Sequence, residues 1–299
     1  MGISMKKGSR TSKWLVWAAC LATMTAFFAS DTAVVGASTA SAQANVTVTP
    51  TRLVFEDRDR SEELVLLNRG NEAVTYRVAL IGMHMTDEGS LERVEEPVGD
   101  QLFAHDLLRF APRQVHIEPG QSQRIRVMVR KPPDLEEGEY RSHMLFQAVP
   151  DSSGDSDEEV EDDDQLALRL NIISGISIAT IVRHGELSVD MEIEDLGLIE
   201  GDEETPGDEL RFVLNRDGDR SVYGDIKAEY VPEGAEDAEE TIVIGQRNGT
   251  AVYTPNEKRS IAVPITMPDG ASTQGGRIVV TYSDRDSGEP LASEYFELP

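Results

Sequence analysis

Cysteine is nearly missing from this chain: Cys20 is the only one among 299 residues. No disulfide framework can form within one copy, and zinc sites built on paired cysteines are excluded. Basic residues are scarce too, 28 Lys and Arg against 55 Asp and Glu, for a formal charge of -27. Nucleic acid is thereby excluded as a partner, because phosphate binding needs basic stripes, and an anionic membrane surface is disfavoured. The acidity reads as solvated loops; attraction of basic partners is its functional alternative. Long hydrophobic runs are limited to Trp14–Ala29, which is short for a membrane span, and no second apolar stretch could cross a bilayer. No long amphipathic helix is read in the first half of the mature chain, and no glycine-rich loop stands between a strand and a helix as a phosphate cradle would require.

The N-terminus has the three parts of a secretory signal. Lys6, Lys7, Arg10 and Lys13 form a basic region, Trp14–Ala29 the apolar one, and Ala40-Ser41-Ala42 a small-residue cleavage site. Residues 1–42 are thus read as a signal peptide and the mature chain as starting near Gln43. A lipid anchor at Cys20 is disfavoured, since Trp17 stands where a small aliphatic residue is needed. Without thiols, an exported chain must draw its stability from cores of adequate size.

The mature chain is a succession of short alternating segments. Val46–Val48, Arg52–Phe55, Glu63–Leu67, Thr75–Ile81, Leu107–Phe110, Gln114–Ile117, Ser122–Arg130 and Tyr140–Val149 read as strands, with a looser stretch from Thr86 to Ala104. Pro119-Gly120 suits the middle of a type II turn. After His184-Gly185 a second series follows: Ser188–Glu194, Glu209–Asn215, Ser221–Tyr230, Glu240–Gln246, Ala251–Thr254, Arg259–Thr266, Gly276–Ser283 and Ala292–Leu298. Arg216-Asp217-Gly218-Asp219, Asn248-Gly249 and Asp284–Gly288 read as hairpin-type connections, because Asp, Asn and Gly tolerate positive φ. The expected fold is all-β, with two immunoglobulin-like β-sandwich domains over residues 43–184 and 185–299.

The chain is organised around Leu166–Arg183, which follows an acidic loop at residues 150–165. Leu166, Leu168, Leu170 and Ile172 alternate, and β-branched residues continue the run, so residues 166–182 read as one long strand that pairs with Tyr140–Val149. At about 3.3 Å per residue it would reach nearly 60 Å, beyond the length of an ordinary strand, so one end is expected to project beyond its sheet or to cross between sheets. Alternation alone leaves two readings open: the leucines face the protein's own core, or they are offered to another chain. Asp155, Asp157 and Glu159 alternate like a calcium loop, but Val160 and Leu166 occupy positions where such a loop needs Gly and Glu, and the calcium reading is rejected.

Three motifs then carry a resemblance. Thr49-Pro50-Thr51-Arg52-Leu53-Val54-Phe55, Pro112–Gln121 and Gly138–Phe146 make the region 45–184 resemble the PapD-like periplasmic chaperones of the chaperone-usher pilus pathway, with the second half matching in size and strand pattern only. The resemblance implies two immunoglobulin-like domains set in an L, a periplasmic location, and a subunit-binding strand whose alternating residues fall on Leu168, Leu170 and Ile172, with Leu166 as a fourth. It implies donation of this edge strand to a pilin-like exported subunit with an open groove, and delivery of that subunit, with an outer-membrane usher as a further partner. It also implies a carboxylate anchor at Arg52, whose guanidinium can hold a terminal carboxylate by two parallel hydrogen bonds. The family's second base, a lysine, falls on Ala179, a departure that points either to a different cleft chemistry with Arg183 helping or to a relative that no longer serves classical pilins.

No enzyme is expected. Ser177 lies among β-branched residues with no following helix, unlike a nucleophile elbow. His84, His105, His116, His143 and His184 match no zinc spacing. No cofactor, metal or small-molecule substrate is therefore expected. The other functional reading is a structural or adhesive immunoglobulin-like exported protein without strand donation, and an unloaded edge strand could also pair two copies into a homodimer.

Overall fold

The structure, a computed structural model, describes residues 46–56, 58–149, 175–201, 207–234, 241–268 and 275–299. The signal segment, the acidic loop and the residues Leu166, Leu168, Leu170 and Ile172 lie outside the described residues.

Two sheets face each other across the first core. One contains β1 (Val46–Thr49), β3 (Ser61–Asn68), β8 (Ser122–Val129) and β6 (Leu108–Ala111), in that order. The other runs β2 (Arg52–Phe55), β10 (Gly175–His184), β9 (Gly138–Val149), β4 (Val74–Met85) and β5 (Leu91–Val94), with β7 (Gln114–Ile117) also paired to β4. Alternation explains the packing: Leu64 and Leu66 of β3 and Ile125 and Val127 of β8 are fully buried against Met144 and Phe146 of β9. Each such side chain contributes roughly 1.5 to 3 kcal/mol when taken from water. The Glu118–Gln121 turn closes through Gln121 N–H donating to the Glu118 carbonyl at 3.0 Å, with Gly120 at φ 72°, the positive φ that a type II turn needs at that position.

The second core is likewise a sandwich. One sheet holds β11 (Val189–Ile199), β12 (Glu209–Gly218) and β15 (Lys258–Pro264); the other holds β14 (Ile242–Val252), β13 (Val222–Val231), β16 (Arg277–Asp284) and β17 (Pro290–Glu297). Leu210, Leu214, Val263, Ile278, Val280 and Tyr282 form its fully buried centre. The all-β expectation of two packed sandwiches holds.

One local expectation holds over its described part, and three others need correction. The described part of the long strand is Gly175–His184, paired antiparallel with β9 as expected and parallel with β2. The stretch read as loose contains β5, four residues long and mostly exposed, too polar to show an apolar period. Glu240–Gln246 and Ala251–Thr254 are replaced by one strand, β14: Asn248 and Gly249 together face Asp225 alone, and the Gly249 N–H donates to Asp225 Oδ1 at 2.7 Å. Asn-Gly thus makes a bulge, where positive φ is needed just as in a hairpin. Finally, Arg216–Asp219 carries the chain from one sheet to the other, because β12 pairs with β11 and β15 and not with β13.

Candidate functional site

The site forms where β2 and β10 of the first sandwich meet the start of β13 and the β16–β17 turn of the second. A cavity of about 500 Å³ lies there, lined by Arg52, Glu56, Arg183, Ser221, Tyr223 and Asp286 among others. Arg52 sits directly beside Ala179 in the parallel register of β2 and β10. Its guanidinium lies 4.3 Å from the centre of the Tyr223 ring and is ion-paired with the Asp286 carboxylate. On the same ring, at 5.8 Å, lies Arg285, whose Nη1 is 2.5 Å from Asp225 Oδ1. Both guanidiniums gain from the negative ring face.

Arg183 reaches the same cavity with each of its nitrogens engaged. Nε donates to Glu139 Oε2 at 3.0 Å, Nη1 to Glu56 Oε1 at 2.6 Å and Nη2 to the Ser221 carbonyl at 3.1 Å. The Glu139 side chain is completely buried. It also accepts the Ser221 N–H at 3.0 Å, the Ser221 hydroxyl, and the Thr254 hydroxyl at 3.4 Å. A buried charge pair is tolerable only when its remaining hydrogen-bonding capacity is met, and here donors from the second sandwich meet it. Glu139 therefore ties the two halves together.

Beneath the cavity, Met85, Ala179 and Ile181 pack on Ala251 and Tyr253. Ala179, where the resemblance expects a lysine, is thus an apolar contact between the sandwiches. Arg141, 1% exposed, lies over the Tyr253 ring at 4.4 Å and donates from Nη1 to the Met83 carbonyl at 3.1 Å and from Nη2 to the Thr254 carbonyl at 3.2 Å. Burial pulls its guanidinium down from its ordinary value. Beside it His143, also 1% exposed, is pushed down to about 3, first by burial and then by the Arg141 charge. It is neutral at any ordinary pH. The β4–β5 turn adds a further link: Ser260 N–H donates to the Asp87 carbonyl at 2.7 Å and Asn256 Nδ2 to the Met85 carbonyl at 2.8 Å.

One more feature concerns β10. Its residues Ala179–Val182 are covered on one side by β2, whereas Gly175–Ile178 pair only with β9 among the described residues. Ile176, Ile178 and Val182 pack into the first core; Gly175 and Ser177 are exposed. Among the described residues the strand therefore presents a half-open edge that ends at the cavity.

Arg52 and Arg183, both singled out from the sequence, are brought together at this cavity, while the four alternating apolar residues lie outside the described residues. Glu139, Arg141, Ser221 and Asp286 were not anticipated. Glu139, Arg141 and His143 occupy alternate positions of β9 as the wet face of a strand would, and only the second sandwich makes that face an interior. Among the described residues no group of three or more His, Cys, Asp or Glu side chains is placed to hold a metal ion.

No protein-family model matches the chain, and no curated protein matches it in sequence. Similar solved structures include a chaperone–tip adhesin complex of CFA/I fimbriae, at 12% identity over 85% of this chain and 98% of that one, with a TM-score of 0.42. The class 5 fimbriae chaperone CfaA is similar at 12% identity over 85% and 99%, with a TM-score of 0.41. The Pseudomonas aeruginosa CupB2 chaperone is similar at 13% identity over 85% and 100%, also with a TM-score of 0.41.

Proposed function

We propose that this protein is a periplasmic, non-catalytic chaperone that binds exported pilin-like subunits by lending them the edge of β10 and its upstream residues, and delivers them for surface assembly. The observation that carries this reading is the half-open edge of β10 beside a cavity that contains a guanidinium. A subunit lacking one strand exposes unpaired backbone N–H and C=O groups, and an edge with free groups of its own can satisfy them. Leu166, Leu168, Leu170 and Ile172 stand an even number of residues before Ile176 and Ile178, so a strand extended upstream would carry all of them on one face. That face suits an apolar groove. At the other end, Arg52 would hold the subunit's terminal carboxylate, with Arg183 adding positive charge from within the same cavity.

Purification from the periplasm with mass spectrometry of co-eluting proteins tests this reading. The wild type is expected to carry a small exported subunit, and a folded Leu168→Glu, Leu170→Glu double variant to lose it. Retention of the partner by the variant would refute strand donation.

A further inference from the structure

The Arg52 guanidinium is already bound to a carboxylate of its own chain. Asp286 makes this ion pair from the turn between β16 and β17, and its side chain is 74% exposed whereas that of Arg52 is 15% exposed. The turn around it is firmly built. Asp284 Oδ1 accepts the N–H of Asp286 at 3.0 Å, the N–H of Ser287 at 2.9 Å and the Ser287 hydroxyl at 3.1 Å. Arg285 is held by Asp225, and its N–H donates to the Tyr223 carbonyl at 3.1 Å. The backbone beneath Asp286 is thus pinned on both sides while its carboxylate faces solvent. A side chain so placed can rotate off Arg52 without moving the turn, and nothing in the turn's own hydrogen bonding depends on its carboxylate.

The charges nearby point the same way. Arg52, Arg183 and Arg220 line the cavity, and so do Glu56, Asp284, Asp286 and Glu289. Arg183 is committed to Glu139 and Glu56. Arg183 keeps the buried Glu139 even where the exposed Glu56 leaves it, whereas the carboxylate on Arg52 belongs to the largely exposed Asp286, so Arg52 is the cation a second carboxylate can capture by exchange.

We propose that Asp286 is an internal competitor for the carboxylate site at Arg52, an affinity-setting residue that a ligand's terminal carboxylate must displace. This rests on the reading of Arg52 as a carboxylate anchor. The competitor is weak, since an ion pair with one exposed partner contributes at most about 1 kcal/mol. Its effect is to favour ligands that bring other contacts along β10 over free carboxylates in solution.

The test uses the full mature protein, with N-acetyl-alanyl-alanine as free acid and as C-terminal amide, followed by the NMR signal of the Arg52 Nε–H group. Asp286→Asn is expected to bind the free acid about two- to five-fold more tightly than the wild type, with the amide shifting Arg52 in neither protein. Equal or weaker binding by the variant overturns the competitor and leaves Arg52 as the anchor. Failure of the free acid to perturb Arg52 in either protein overturns both.

Discussion

Mild acid should destabilise this protein through His143. In the unfolded chain this imidazole takes up a proton near its ordinary value of 6.5, whereas in the folded protein it stays neutral down to about 3. Between these values the unfolded state binds more protons, so the contribution of neutral His143 is complete above about pH 6.5 and declines as the pH falls toward 3. The slope is about 1.4 kcal/mol per pH unit. From about pH 7.5 to about pH 5 the loss attributable to this one residue is about 2 kcal/mol. The physical cause is confinement. His143 lies against Ala179 in the register of β9 and β10, with the Tyr253 ring at 6.2 Å and a buried guanidinium two residues away, so burial and a neighbouring positive charge both oppose imidazolium. Urea unfolding of the wild type and of His143→Gln at the two pH values isolates the effect. The variant should lose about 2 kcal/mol less than the wild type on acidification, whatever its stability at neutral pH. Parallel losses would refute the burial argument.

Other perturbations probe the contact between the sandwiches and the proposed client site. Glu139→Ala leaves Arg183 Nε and the Ser221 and Thr254 donors without their buried acceptor, and should lower the unfolding free energy in urea by about 3 kcal/mol; a loss below about 1 kcal/mol would show that the pair is not sealed from water. Gly89 has φ 84° and any Cβ there would strike the Arg259 side chain, so Gly89→Ala is expected to cost about 2 kcal/mol, measured as a shift in urea midpoint without change in slope. The Leu168→Glu, Leu170→Glu pair should abolish subunit co-elution while leaving the unfolding midpoint of the unloaded protein unchanged. Asp286→Asn should tighten carboxylate binding and lower stability by no more than about 1 kcal/mol, the same free energy that the competing pair supplies.

Sheet membership was legible in the sequence only where one face of a strand meets one core. Leu64 and Leu66, or Ile125 and Val127, announce themselves by alternation, and all four are fully buried. β9 and β10 are different, because both of their faces are covered. On β9 the apolar Met144 and Phe146 enter the first core while Glu139, Arg141 and His143 meet the second sandwich; composition labels the latter as solvent-facing. Arg52 was legible through its motif, but its partner Asp286 is 234 residues away in a turn whose residues look alike in any acidic loop. Gly249 has the positive φ expected of it, 70°, but the Asn248-Gly249 pair makes a bulge and not a chain reversal, since a bulge and a hairpin answer the same steric demand.

The two covered faces of β10 constrain how this protein can change over generations. Ile176, Ile178 and Val182 belong to one interior, Ala179 and Ile181 to another. Losing or gaining one residue within the strand would swap the two sets, placing small Ala179 in the large core and bulky isoleucines against Ala251 and Tyr253. Length changes here are therefore barred unless they come in steps of two, and variation should accumulate at Gly175 and Ser177, which neither interior reads.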